Sequence, residues 1–115
     1  MQLPQEASLL RIFIGEDDKA GNVPLYEAIV LKAREMRLAG ATVLRGPMGF
    51  GDSSRLHTAK ILRLSQDLPV VIEIVDSPDK IDAFLPELDR IMESGLVTIE
   101  KVRVVRYGGN PTANG

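Results

Sequence analysis

The 115-residue sequence predicts an α+β domain, a single antiparallel sheet with two helices laid on one face. Three observations carry that expectation. Residues 25–39 and 78–94 place apolar side chains at helical spacing, and each stretch is followed by a glycine. Residues 8–16, 41–46, 68–76 and 96–107 are β-branched or alternate with period two. The order is strand, helix, strand, strand, helix, strand. That is the split β-α-β-β-α-β arrangement called ferredoxin-like.

In the first strand, "SLLRIFIGE", Leu10, Ile12 and Ile14 share one face and Leu9, Arg11 and Phe13 the other. "DDKAGNV" supplies turn residues, and Pro24 suits the start of a helix. Leu25, Ala28, Ile29, Ala33 and Met36 form the stripe of that helix, and Gly40 is the expected left-handed residue at its end. "ATVLRG" follows as the second strand. "LPVVIEIVD" is almost continuously apolar, which predicts a strand in the middle of the sheet. Ser77 and Pro78 make a cap and first turn, with Asp79 near the positive helix end. Ile81, Phe84, Leu85, Leu88 and Ile91 form the second stripe, and Pro86 within it predicts a kink. In "LVTIEKVRVVRY" Val97 and Ile99 keep one phase while Val102 and Val104 keep the other. That mismatch predicts a bulge or break near Glu100–Lys101.

Composition narrows the function classes. A net charge of -2 lacks the basic excess of nucleic-acid binding. With no cysteine there is no disulfide, thiolate nucleophile or zinc–sulfur site, which fits a reducing, cytoplasmic setting. The start of the chain does not resemble a secretion signal, and no apolar run approaches the ~20 residues that cross a bilayer, so direct membrane insertion is not expected. Residues 1–115 read as one domain, with 1–7 and 108–115 as frayed ends. Both helices fall on one side of the sheet, so the face carrying Leu9 and Phe13 has no cover, and self-association is the expected solution.

The stretch "RGPMGFGDSSRLHTAK" fits no phosphate-loop or dinucleotide fingerprint. Gly46 and Gly51 have the phosphate-loop spacing, but Asp52-Ser53 follow instead of lysine and a hydroxyl residue. His57 lies too near Ser53 and Ser54 in sequence for a well-held triad. With Glu16, Asp17 and Asp18 it has no metal-ligand spacing, so neither a catalytic nor a metal site is expected. The loop between the second and third strands is roughly fifteen residues long, well beyond a usual hairpin connection. Arg55, His57, Lys60 and Arg63 give it anion-binding groups, Ser53, Ser54 and Thr58 give it donors, and residues 52–64 are expected to be the most mobile internal segment. Leu56, Ile61, Leu62 and Leu64 imply that part of it packs down.

The strand order, the long loop and "GFG" at its base resemble the PII-like signalling proteins, in particular their compact branch grouped as a domain of unknown function. "LRIFIGE", "PLYEAIV", "GATVLRGPMGFG", "SSRLHTAKILRLSQDLPVVIEIVD" and "GLVT" carry the likeness over nearly the whole chain. The resemblance implies a homotrimer with ligand clefts between neighbours, no required cofactor, and an adenine nucleotide or other small anion as ligand. It implies Gly49, Phe50 and Gly51 at the cleft, Arg106 facing the phosphates, and Arg103 as a looser equivalent. It implies a partner-reading loop carrying Ser53, Ser54, Arg55, His57 and Lys60, directed at a protein target such as a membrane transporter. Three departures are visible. Val70 and Val71 stand where nitrogen-regulating members enter the third strand with a phosphate-holding lysine. The glycine-rich turn before the last strand is reduced to "ESGLVTIEKV", and the loop has no tyrosine to modify. These departures count against ATP and leave a different adenine nucleotide, another small anion or no ligand at all as the alternatives.

The expected function is therefore a non-enzymatic regulatory module. The alternatives are a metal-tolerance-like trimeric binding protein of the same architecture, or a small enzyme pairing His57 with Glu73 or Asp52.

Overall fold

A computed structural model describes residues 3–51, 57–58 and 67–111, with 57–58 and 110–111 through their backbone. The chain runs β1 (Glu6–Gly15), β2 (Lys19–Ala20), β3 (Val23–Pro24), α1 (Leu25–Glu35), β4 (Thr42–Arg45), β5 (Met48–Gly49) and β6 (His57–Thr58). It continues through β7 (Pro69–Asp76), α2 (Pro78–Ile91), β8 (Leu96–Arg103), β9 (Arg106–Tyr107) and β10 (Asn110–Pro111). The main sheet has the order β4-β7-β1-β8, and every neighbouring pair is antiparallel. This is the ferredoxin-like order, with β7 central as expected.

Alternation along the two central strands builds the core. Leu10, Ile12 and Ile14 of β1 and Val70, Ile72 and Ile74 of β7 point to the helices. They meet Leu25, Ile29 and Ala33 of α1 and Ile81, Phe84 and Leu88 of α2. Each large side chain buried there contributes roughly 1.5–3 kcal/mol. A second, smaller cluster of Leu3, Ala7 and Val104, flanked by Val75, Val102 and Tyr107, lies over one end of the opposite face. Over residues 3–7 the chain therefore differs from the frayed end expected over residues 1–7, of which the first two lie outside the described residues. Leu3 is buried, and Glu6 and Ala7 already pair with Arg103 and Val102.

Two local expectations change. Helix α1 ends at Glu35, and the left-handed residue is Arg37 at φ 60, not Gly40. The Leu38 N–H reaches Ala33 O (3.0 Å) and the Arg37 N–H reaches Arg34 O (3.0 Å), so the end is closed by paired backbone bonds before Gly40 is reached. Pro86, where a kink is expected, lies inside α2, which is continuous from Pro78 to Ile91. Pro86 and Asp82, one turn earlier, are both exposed, so water can take the place of the missing donor. Strand β8 has no bulge, because its register with β1 is continuous from Phe13↔Leu96 to Glu6↔Arg103. The change of phase has another cause. Val97 and Ile99 face the helix side, Val102 joins the second cluster, and Val104 lies beyond the strand end.

Candidate functional site

The base of the long connection is built on Pro69, where β7 begins. The Gly46 N–H donates to Pro69 O at 2.7 Å, and β5 pairs with β6 through Met48↔Thr58 and Gly49↔His57. A Cβ on Gly46 or on Gly49 would stand 3.0 Å from the Pro69 ring carbon Cγ, so close backbone approach accounts for both glycines. Beyond them Phe50 is 76% exposed, an aromatic ring held out at the loop base. Arg45 pairs with Glu16, whose N–H donates to Leu68 O at 2.8 Å, fixing this end of the sheet to the first turn.

The basic residues stand at the other end. Arg103 closes β8 opposite Glu6, and the next N–H, of Val104, donates to Gln5 O at 2.7 Å. The chain then folds into the β9–β10 hairpin, in which Arg106 Nη1 donates to Gly109 O at 3.0 Å. Tyr107 Oη donates to Ala39 O at 2.8 Å and ties the hairpin to the segment before β4. The Ala39 N–H in turn donates to Asp76 Oδ2 at 2.8 Å, while Asp76 Oδ1 accepts from the Ser77 N–H at 2.7 Å. Asp76 is almost fully buried, so one carboxylate joins the end of β7, the start of α2 and the support of Arg106. A concavity beside this hairpin is lined by Gly40, Ala41, Val75, Val102, Arg103 and Arg106.

Gly49, Phe50 and Gly51 therefore occupy the Gly15–Pro69 end of the sheet, and Arg103 and Arg106 the Glu6–Arg103 end. The ten residues of β1 separate them by about 30 Å at ~3.3 Å per residue. One chain does not bring the two groups together. Ser53, Ser54, Arg55 and Lys60 lie outside the described residues, and His57 is placed through its backbone, opposite Gly49. Glu73, the carboxylate considered as a partner for His57, accepts from Arg11 Nε at 2.8 Å on the helix-free face. Among the described residues no group of three or more His, Asp or Glu is placed to hold a metal ion. Asp18 Oδ2 accepts from the Gly15 N–H at 2.9 Å and so serves the turn. Asp76 and Tyr107 escaped the sequence reading. The faint signal was a carboxylate ending a strand that is almost continuously apolar, and one of only two tyrosines in the chain.

This architecture is that of the PII-like proteins. It matches CPII, a nitrogen regulatory PII-like protein from Thiomonas intermedia K12 solved bound to ADP, AMP and bicarbonate, with a TM-score of 0.60 and 16% identity over 88% of this chain and 90% of that one. It also matches the divalent ion tolerance protein CutA1 from Ehrlichia chaffeensis, with a TM-score of 0.56 and 12% identity over 99% and 89% of the two chains. At such identities the likeness establishes the fold. Sequence goes further: residues 7–104 match the DUF190 family (Uncharacterized ACR), and the chain belongs to that family. A UPF0166 protein of Aquifex aeolicus is 40% identical over 84% of this chain and 91% of its own length. Another, of Methanocaldococcus jannaschii, is 33% identical over 88% and 94%.

Proposed function

We propose that the protein is a non-catalytic regulatory module that self-associates as a homotrimer, holds a small anionic ligand between copies, and presents residues 52–64 to a protein partner. The observation that carries this reading is the separation of the two half-sites. Gly49, Phe50 and Gly51 lie at one end of the sheet and Arg103 and Arg106 at the other, so a complete site needs a loop base from one copy and an arginine pair from the next. Exposed Phe50 offers a stacking surface, the nearby backbone offers close approach, and the arginines offer charge-assisted bonds to phosphate. An adenine nucleotide satisfies all three, and CPII, with the same fold, was solved with ADP and AMP. The fold neighbours, a nitrogen regulatory protein and an ion tolerance protein by description, favour signalling or binding over catalysis. No helix among the described residues is long and apolar enough to cross a membrane, and a membrane protein enters this reading only as a docking partner.

Native mass spectrometry with ADP, AMP, ATP, bicarbonate and divalent metals tests it. The expected result is a trimer that takes up nucleotide. Uptake of metal without nucleotide would favour the metal-tolerance reading, which the CutA1 likeness keeps as the second choice. A trimer that binds none of the panel would remove the cleft from the account.

A further inference from the structure

The helix-free face of the sheet is ordered in transverse rows, because residues directly opposite in an antiparallel ladder point the same way. Near the loop base, Leu44, Val71, Phe13 and Leu96 lie opposite one another across all four strands. Leu44 is 48% exposed, Phe13 37% and Leu96 56%. One row further, Thr42, Glu73, Arg11 and Thr98 form an equally complete polar row. Arg11 is bound there by two carboxylates. Nε donates to Glu73 at 2.8 Å and Nη1 to Glu100 at 3.0 Å. The hydrogen bond to Glu73, reinforced by the charges of Glu73 and Glu100, raises the Arg11 pKa above its ordinary value, so this cation does not titrate away. At the far end of the same face Leu3, Val104 and Tyr107 already lie over Ala7, Val75 and Val102.

Leaving a four-residue apolar row bare beside a row of charges is unfavourable for an isolated chain. The polar row is also costly inside an ordinary apolar interface, unless its charges find complements. Both signs stand side by side on it, one strand spacing apart. A second copy shifted by about 4.8 Å can therefore set its own Arg11 against these carboxylates. The surface is self-complementary in charge.

Resting on the self-association reading above, we propose that the polar row Thr42–Glu73–Arg11–Thr98, with Glu100, is the register lock of the interface between copies of this chain. The apolar row Leu44–Val71–Phe13–Leu96 supplies the burial that drives association. The charged row fixes which alignment of copies is allowed, because other alignments oppose Arg11 to Arg11 or carboxylate to carboxylate.

The test is association measured by light scattering and native mass spectrometry on wild type, Arg11→Lys, Arg11→Met and the triple variant Arg11→Met/Glu73→Leu/Glu100→Leu, each checked for wild-type circular dichroism. Arg11→Met, which leaves two carboxylates without a cation, should weaken association by a factor on the order of a hundred. Arg11→Lys keeps the charge and the fold but loses the two-pronged guanidinium, and about tenfold is expected. The triple variant should still associate, but as a mixture of masses, since it keeps the apolar drive and loses the lock. A monomeric wild type would overturn both the self-association reading and the lock. An oligomeric wild type whose single variants change affinity less than about twofold, or whose triple variant keeps the same single mass, would overturn the lock alone.

Discussion

Replacing Asp76 with alanine should unfold the protein more readily than any surface change, and the structure sets the size of the effect. The carboxylate is almost fully buried and accepts the Ala39 N–H at 2.8 Å and the Ser77 N–H at 2.7 Å. A hydrogen bond to a charged acceptor contributes about 1.5–3 kcal/mol, and a buried donor left without a partner carries its own desolvation cost. Alanine removes both acceptors at once, so a loss of about 3–4 kcal/mol is expected. For a domain near this size that is a fall of roughly 15–20 °C in Tm. Asparagine keeps one acceptor but turns an amide N–H₂ toward the other donor, and about half that loss should follow. The same carboxylate holds Ala39, whose carbonyl accepts the Tyr107 hydroxyl. Hydrogen exchange in the 106–111 hairpin should therefore accelerate in Asp76→Ala, and Tyr107→Phe should reproduce that acceleration at a cost of only about 1 kcal/mol. Urea denaturation and exchange mass spectrometry measure both effects. An Asp76→Ala loss below about 1 kcal/mol, with the hairpin unchanged, would refute the reasoning.

Three further outcomes are expected. Gly95 sits at φ 127, and a Cβ there would come 2.9 Å from the Phe13 carbonyl oxygen, so Gly95→Ala should cost roughly 2–4 kcal/mol in urea denaturation. Arg37 adopts φ 60 at the end of α1, so Arg37→Gly should raise stability by about 0.5–1 kcal/mol, seen as a higher urea midpoint with an unchanged slope. Arg106 is exposed and, among the described residues, its side chain bonds to Gly109 O of its own turn, so Arg106→Ala should leave Tm within a few degrees while weakening ADP binding about ten- to a hundredfold by calorimetry.

The fold was legible in the sequence wherever a side-chain period answered to one buried face. Leu10, Ile12 and Ile14, and again Ile81, Phe84 and Leu88, mark surfaces that the structure buries, and their order along the chain fixes the sheet. Reading failed where one strand serves two surfaces. The phase change in β8 looked like a bulge because Val97 and Val102 answer to different faces of an unbroken strand. It failed again at the end of α1, where backbone bonds close the helix on an arginine and composition points to the next glycine. The site was half legible. Gly49 was visible as a glycine, but its reason, the ring of Pro69 twenty residues on, is a tertiary contact. Asp76 and Tyr107 act through Ala39, a residue with no side-chain signal of its own.

The central claim is that one cleft takes its loop base and its arginines from different copies, and subunit mixing tests it most directly. Arg106→Ala and Gly49→Val, the second pressing a side chain onto Pro69, should each bind ADP weakly as pure oligomers. After unfolding together and reassembly at equal amounts, about one cleft in four should join an intact loop base to an intact Arg106 and bind ADP with wild-type affinity, as random assembly of a ring requires. A mixture with no such high-affinity fraction would contradict a shared cleft.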